Sequence, residues 1–352
     1  MCFMLEGAPE VSQAGSRVIP AFQKDHWGSH VEDGLKTVCQ ERLGFLKGNM
    51  IFLAGISHIT ILTVLFITGI IGNGFLVVVN VSKLIQNKRL ISIELLLTCL
   101  GMSRLGLQIL LTFQGVMSVF FANVYRKNIY GSLFLFIWMF LNSSSFWFAT
   151  CLGIFYCLKI SDFTHPCFLW LKFRVSRLMP SMLLGSLLIS VITAILCAYM
   201  WDSSSDSYTN RSKNSSLTSP DSERVIASDM ILVNLILIFP LGLFVMCTVT
   251  LFASLYSHTR RMQTSSSGLG NPSGEAHVNA LRTVVTFFCF FISYFAALMV
   301  NLTFTVPFRS PLFFLLKDVM AAYPSGHSVI IILSNSKYQQ SFRRILGLPK
   351  KP

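Results

Sequence analysis

The chain has 352 residues, of which 53% are hydrophobic and only 12% charged, and its net charge is +13. A soluble domain carries about 25% charged residues, so a water-exposed globule of this length is excluded and long apolar runs must hold the chain. The basic residues are scattered between those runs rather than gathered in one patch, which fits a membrane face and argues against a nucleic-acid partner.

In chain order, residues 1–49 come first and are mixed and polar, with six acids, five bases and no run suited to a signal peptide. They read either as a disordered tail outside the membrane or as an extension the folded protein does not need. Seven apolar segments follow, at about 51–81, 92–121, 129–158, 179–201, 228–256, 281–306 and 311–334. Each reaches the roughly 20 residues a spanning helix requires. The fourth is the plainest, since Met182 to Met200 holds no charge. The last two are joined by Val306-Pro307-Phe308-Arg309-Ser310-Pro311, where two prolines end helices. The fold class is therefore an all-α membrane protein, a seven-helix bundle over 50–336 with a short basic tail at 337–352. No internal repeat is visible, which argues against an inverted-repeat transporter.

Alternate loops differ in charge. One set, with the C-terminal tail, holds three, four, three and five bases, and the other holds two, three and one. The richer set belongs on the cytoplasmic side, so the N-terminus is expected outside and the C-terminus inside. Two glycosylation sequons, at Asn210 and Asn214, fall in a loop assigned to the outside, where alone they are usable. Nine cysteines are present; six lie within the apolar segments, none shows zinc-ligand spacing, and none falls in an outer loop. Neither a metal, nor a cofactor, nor an external disulfide is expected.

Polar residues inside the apolar segments are costly and point to function or to a structural clamp. Arg104 lies in the middle of the second segment, where a charge costs roughly 2.5–3.5 kcal/mol on insertion scales. Gln108 shares its helical face, and Asn73, in Ile71-Gly72-Asn73-Gly74-Phe75, is the expected partner from the first segment. Trp138, Asn142 and Ser145 form one face of the third segment, either a pocket for a small amphipathic ligand or a helix-packing seam. Lys317, in the seventh, either snorkels to the surface or lines a wet cavity and lends it positive charge. Its neighbour Asp318 points about 100° away around the helix and pairs poorly with it.

The end of the third segment decides among families. Phe148-Ala149-Thr150-Cys151-Leu152 leads to Phe155-Tyr156, Lys159-Ile160, His165-Pro166 and Phe168-Leu169-Trp170-Leu171-Lys172. With Ser254-Leu255-Tyr256 through Arg260-Arg261, His277 through Arg282, and Pro324-Ser325-Gly326-His327-Ser328, these stretches resemble the bitter taste receptors, the type 2 taste receptor family of G-protein-coupled receptors. The resemblance covers about residues 69–346. It departs at Ser143, where His is frequent, at Phe291, where Tyr is, at Glu94, where Asp is, and at Tyr338-Gln339-Gln340.

The resemblance implies a plasma-membrane receptor that binds small, chemically diverse bitter compounds in the outer half of the bundle. Trp138 and Asn142 match positions associated with ligand contact, and Ser145 and Lys317 extend that set. It implies a gustducin-like heterotrimeric G protein as partner, with phospholipase C and calcium downstream. The surface facing that protein would hold Phe155, Tyr156, Lys159, His165, Lys172 and Arg174 of the second cytoplasmic loop region. His258, Arg260, Arg261, His277 and Arg282, at the ends of helices 5 and 6, would complete it. Membrane lipids are the other partner, and pairing into receptor oligomers stays open. A transporter or pump is the competing class, and Lys317, seven residues before Pro324, imitates the spacing of a retinal-binding lysine. The third segment holds no acid between Lys127 and Asp162 to serve as counterion. A pheromone receptor of the vomeronasal type fits the His165–Lys172 stretch less well, and no catalytic constellation suggests an enzyme.

Overall fold

A computed structural model describes residues 24–87, 92–121, 131–161, 165–213, 220–265, 272–303, 306–345 and 347. Among them every regular element is helical: α1 (Lys24–Asn87), α2 (Ser92–Phe120), α3 (Gly131–Ile160), α4 (Pro166–Lys213), α5 (Pro220–Ser265), α6 (Pro272–Thr303), α7 (Pro311–Ser334) and α8 (Ser336–Ile345). Six helices are long and apolar enough to cross a membrane, with spans at Gln40–Gln86, Ser92–Phe120, Ser132–Ile160, Phe168–Met200, Ile236–Ser257 and Ala280–Asn301. The seventh expected segment is α7, whose 24 residues give roughly 36 Å at about 1.5 Å each. Lys317, Asp318, Ser325 and His327 make it less apolar than the others.

The chain divides into two compact units, Met1–Ser57 and His58–Pro352. In the first, the described part is helical from Lys24 and exposes Phe45, Leu46, Phe52 and Leu53. The second unit is the bundle. In it α3 packs along α4, α5 and α2, while α6 packs against α7 and α5, and α7 against α2 and α8.

The bundle is arranged inside out. Ile71, Val78, Leu188, Met246 and Leu333 are exposed on its exterior, while Asn73, Arg104, Gln108, Asn142 and His327 are at most 1% exposed. Only a lipid solvent makes that distribution favourable, because there a polar group gains by finding a partner inside the protein. Hydroxyls follow the same rule, and Thr150, Ser190, Thr193 and Thr248 each donate to the carbonyl four residues back.

Small residues bring α1, α2 and α7 together. A Cβ on Gly69 would stand 2.8 Å from Ser325 Oγ, one on Gly72 would overlap Ser328, and one on Gly101 would stand 2.8 Å from Val77. Helices in lipid associate through such close contacts. Proline has positional meaning at the start of α7, where Ser310 caps the helix by accepting from the Phe313 amide at 3.1 Å and Pro311 follows it. In the turn before it Arg309 has φ 62°, and its Nη2 donates at 3.1 Å to Val119 O in the last turn of α2. The expected basic tail begins with a helix from Ser336, with Asn335 Oδ1 accepting from the Lys337 amide at 3.0 Å. Tyr338 is buried and donates to Asn80 Oδ1 at 2.7 Å; burial pushes its phenol up to about 12, so it keeps the proton it donates.

Candidate functional site

The three expected clamp residues, Asn73, Arg104 and Gln108, each bond to α7, and the partners differ from the expected ones. Arg104 does not pair with Asn73. Its Nη1 donates to His327 Nδ1, its Nη2 donates to Tyr323 Oη at 2.8 Å, and its guanidinium lies 4.8 Å from the Tyr323 ring. Asn73 instead donates to Gly69 O and Pro324 O, both at 3.0 Å. The reason is the close approach of α1 to α7 at Gly69 and Gly72, which sets Asn73 against the proline carbonyl and leaves the longer arginine to reach α7 from α2. Gln108, one turn from Arg104, accepts from Ser325 Oγ at 3.3 Å.

Among the described residues no acid pairs with Arg104. A neutral imidazole and a phenol stabilise it instead, and His327 Nδ1 must be the unprotonated nitrogen to accept from a guanidinium.

On α3, Asn142 is fully buried and sits between two partners. Its Nδ2 donates to Trp138 O at 2.7 Å, and its Oδ1 accepts from Tyr294 Oη on α6. The Tyr294 ring packs at a tilt against Tyr323 at 4.8 Å between centroids and against Phe146 at 5.3 Å. Trp138 Nε1 is buried without a hydrogen-bond partner, and Ser145 lies beside the Tyr323 hydroxyl. Lys317 is 6% exposed and so does not snorkel; its Nζ donates to Gln114 Oε1 on α2 at 3.2 Å and lies 5.9 Å from the Trp138 ring. Asp318 faces the other way, accepting from His58 Nδ1 at 2.6 Å.

A cavity of about 870 Å³ opens at the α7–α8 end of the bundle, walled by α3, α5, α6, α7 and α8. Phe244, Leu251, Leu255 and Ile331 give it apolar walls, and Tyr156, Arg282 and His327 reach it as well. His327 is therefore shared: it accepts from Arg104 on one side and lines the cavity on the other.

A family model for the taste receptor proteins (TAS2R) matches residues 50–350. The chain belongs to the type 2 taste receptor family. Human taste receptor type 2 member 2 is 58% identical over 255 residues, covering 72% of this chain and 84% of the human one. Taste receptor type 2 member 10 of Papio hamadryas is 37% identical over 251 residues, 71% of this chain and 80% of its own. The fold is similar to squid rhodopsin, with a TM-score of 0.54 and 13% identity over 85% of this chain and 86% of that one; that likeness speaks for the seven-helix fold alone. The chain is thus a multi-pass membrane protein of a receptor family, and none of these relatives is an enzyme by name.

In this taste receptor the residues read as facing a G protein separate into groups. Tyr156 and Arg282 line the cavity. Phe155 packs against the core beside Tyr156, and Lys159, His165 and Arg260 are exposed. Lys172 does not simply face outward, since its Nζ donates at 3.1 Å to Ser161 O, just past the end of α3. Arg174 lies over the Trp170 ring at 4.7 Å. His258, Arg261, His277 and Asn210 lie on helical backbone with side chains outside the described residues, and Asn214 lies outside them altogether. Phe291, where the family often has Tyr, stacks on Phe244 at 4.0 Å and edges onto Tyr323 at 5.9 Å.

Tyr294, Tyr323, His327, His58 and Gln114 were not read from the sequence as members of the site. Tyrosine and histidine within apolar helical runs were the available signal, because such groups need partners inside the bundle.

Proposed function

We propose that this taste receptor is a G-protein-coupled receptor for small, chemically diverse bitter compounds, held in the plasma membrane with its N-terminus outside. Agonists bind around Trp138, Asn142, Ser145 and Lys317, and the cavity between α3, α5, α6 and α7 receives a gustducin-like α subunit, with phospholipase C and calcium downstream. The loop charges and the sequons support the orientation. One observation carries the reading. An unbroken line of contacts runs from Trp138 through Asn142, Tyr294, Tyr323 and Arg104 to His327, which lines that cavity.

A ligand that displaces Trp138 or Asn142 changes what Tyr294 can bond, and Tyr294 packs on the tyrosine that holds Arg104. Such a ligand shifts the balance between bundle arrangements by its differential affinity for them. The far cavity has an apolar lining and a basic residue at Arg282, which suits the apolar face of an amphipathic helix.

Calcium imaging tests the reading in cells that express the receptor at their surface together with a gustducin-like α subunit. Concentration-dependent responses to members of a diverse bitter panel are expected, and Tyr323→Ala should abolish them at unchanged surface expression. Full responses in that variant, or responses that do not need the supplied α subunit or any endogenous G protein, would overturn it.

A further inference from the structure

Lys317 is a buried cation with an incomplete environment. An ammonium has three donors, and one of them is taken by Gln114 Oε1 at 3.2 Å. Its flanks are aromatic, Trp138 at 5.9 Å and Phe313 at 5.7 Å from the ring centroids. These faces attract the charge but do not neutralise it. Among the described residues no acid pairs with it, because Asp318 is engaged by His58 at 2.6 Å on another side of α7. A second donor stands beside it unused, the buried indole Nε1 of Trp138. A buried charge without a counterion and a buried N–H without an acceptor are both costly, and here the two stand side by side.

We infer that Lys317 and Trp138 Nε1 form an anion subsite, and that this receptor selects amphipathic organic anions such as aryl carboxylates and sulfonates. The inference rests on the reading of the Trp138 end as the ligand pocket. The anion supplies the missing counterion to Lys317 and an acceptor for the indole, while the aromatic part of the ligand packs on Trp138 and Phe313. Gln114 Oε1 holds the ammonium in place without competing for its charge. A ligand ammonium brought to the same point meets a like charge in a medium where repulsion is weakly screened.

The test measures binding apart from signalling. Purified full-length receptor in phosphatidylcholine nanodiscs is titrated with naphthalene-2-sulfonate, its neutral sulfonamide and 2-naphthylmethylammonium, and binding is read by calorimetry. The sulfonate should bind roughly ten- to a hundredfold more tightly than the sulfonamide, the gain of a charge-assisted bond over a neutral one. Lys317→Met, which fills the space without the charge, should erase that margin while leaving sulfonamide binding within about threefold. Lys317→Arg should keep it, and Trp138→Phe should reduce it for the sulfonate alone.

Equal affinity for sulfonate and sulfonamide in the wild-type receptor, or a margin that survives Lys317→Met, would overturn the inference. Lys317-dependent anion binding without any calcium response in transfected cells would leave the inference standing and overturn the receptor reading.

Discussion

The Tyr294 hydroxyl on α6 bonds Asn142 on α3, and Tyr294→Phe removes that bond while keeping the ring. The ring stays, so the tilted contacts with Tyr323 at 4.8 Å and with Phe146 at 5.3 Å are retained. What changes is Asn142 Oδ1, which is fully buried and loses its donor. Leaving a buried acceptor unpaired costs about 1–3 kcal/mol. The melting temperature of the purified receptor should fall by about 1–2 °C for each kcal/mol at this chain length. A second substitution makes the reasoning sharper. Asn142→Leu on the Tyr294→Phe background removes the orphaned acceptor, and replacing both partners by apolar groups is nearly neutral. The double variant should therefore regain most of the stability that Tyr294→Phe loses. Additive losses in the two variants, or a Tyr294→Phe receptor within about 0.3 kcal/mol of wild type, would refute the assignment of this bond.

Gly72→Ala should destabilise the bundle by about 1–3 kcal/mol, because the new methyl overlaps Ser328, and Ser328→Gly should restore surface expression when combined with it. Lys172→Gln should lower both receptor stability and calcium responses, since it releases the Ser161 carbonyl at the end of α3. Arg174→Gln should lower responses with unchanged melting temperature, and a comparison of melting curves with surface-corrected calcium signals separates the two. Ser310→Ala, which removes the α7 cap, should cost about 0.5–2 kcal/mol in the same melts.

The bundle was legible in the sequence because lipid imposes one rule on every segment, a run of about 20 apolar residues. The segment at 311–334 coincides with α7 (Pro311–Ser334), where Ser310, Pro311 and the following polar Asn335 mark both ends. Elsewhere the helices run on past the apolar stretch. α4 begins at Pro166 and α5 continues to Ser265, and hydropathy carries no information about a helix that extends into water. The helix at Ser336–Ile345 was hidden for a related reason. Its basic residues read as a tail, and only the placement of Tyr338 against Asn80 shows that one face is buried.

Within the site, the sequence marked Arg104 and Lys317 because a charge in an apolar run is conspicuous. It did not mark their partners. Asn73 was the nearest polar group on the adjoining segment, yet pairing depends on helix rotation and separation, which Gly69, Gly72 and Ser328 set through contacts no linear pattern reveals. Phe291 was noted as a lost hydroxyl, whereas Tyr294, three residues further on, supplies the hydroxyl that meets Asn142.

The link between the two ends of the bundle is tested most directly by resonance energy transfer between the receptor and a gustducin-like α subunit during agonist addition. Wild-type receptor should give a concentration-dependent rise. Thr248→Trp, which places an indole in the cavity lined by Phe244 and Leu251, should remove that rise while agonist binding at the Trp138 end persists within about threefold. An undiminished rise in the Thr248→Trp receptor, at matched surface expression, would show that the α subunit does not enter this cavity and would contradict the coupling of the two sites.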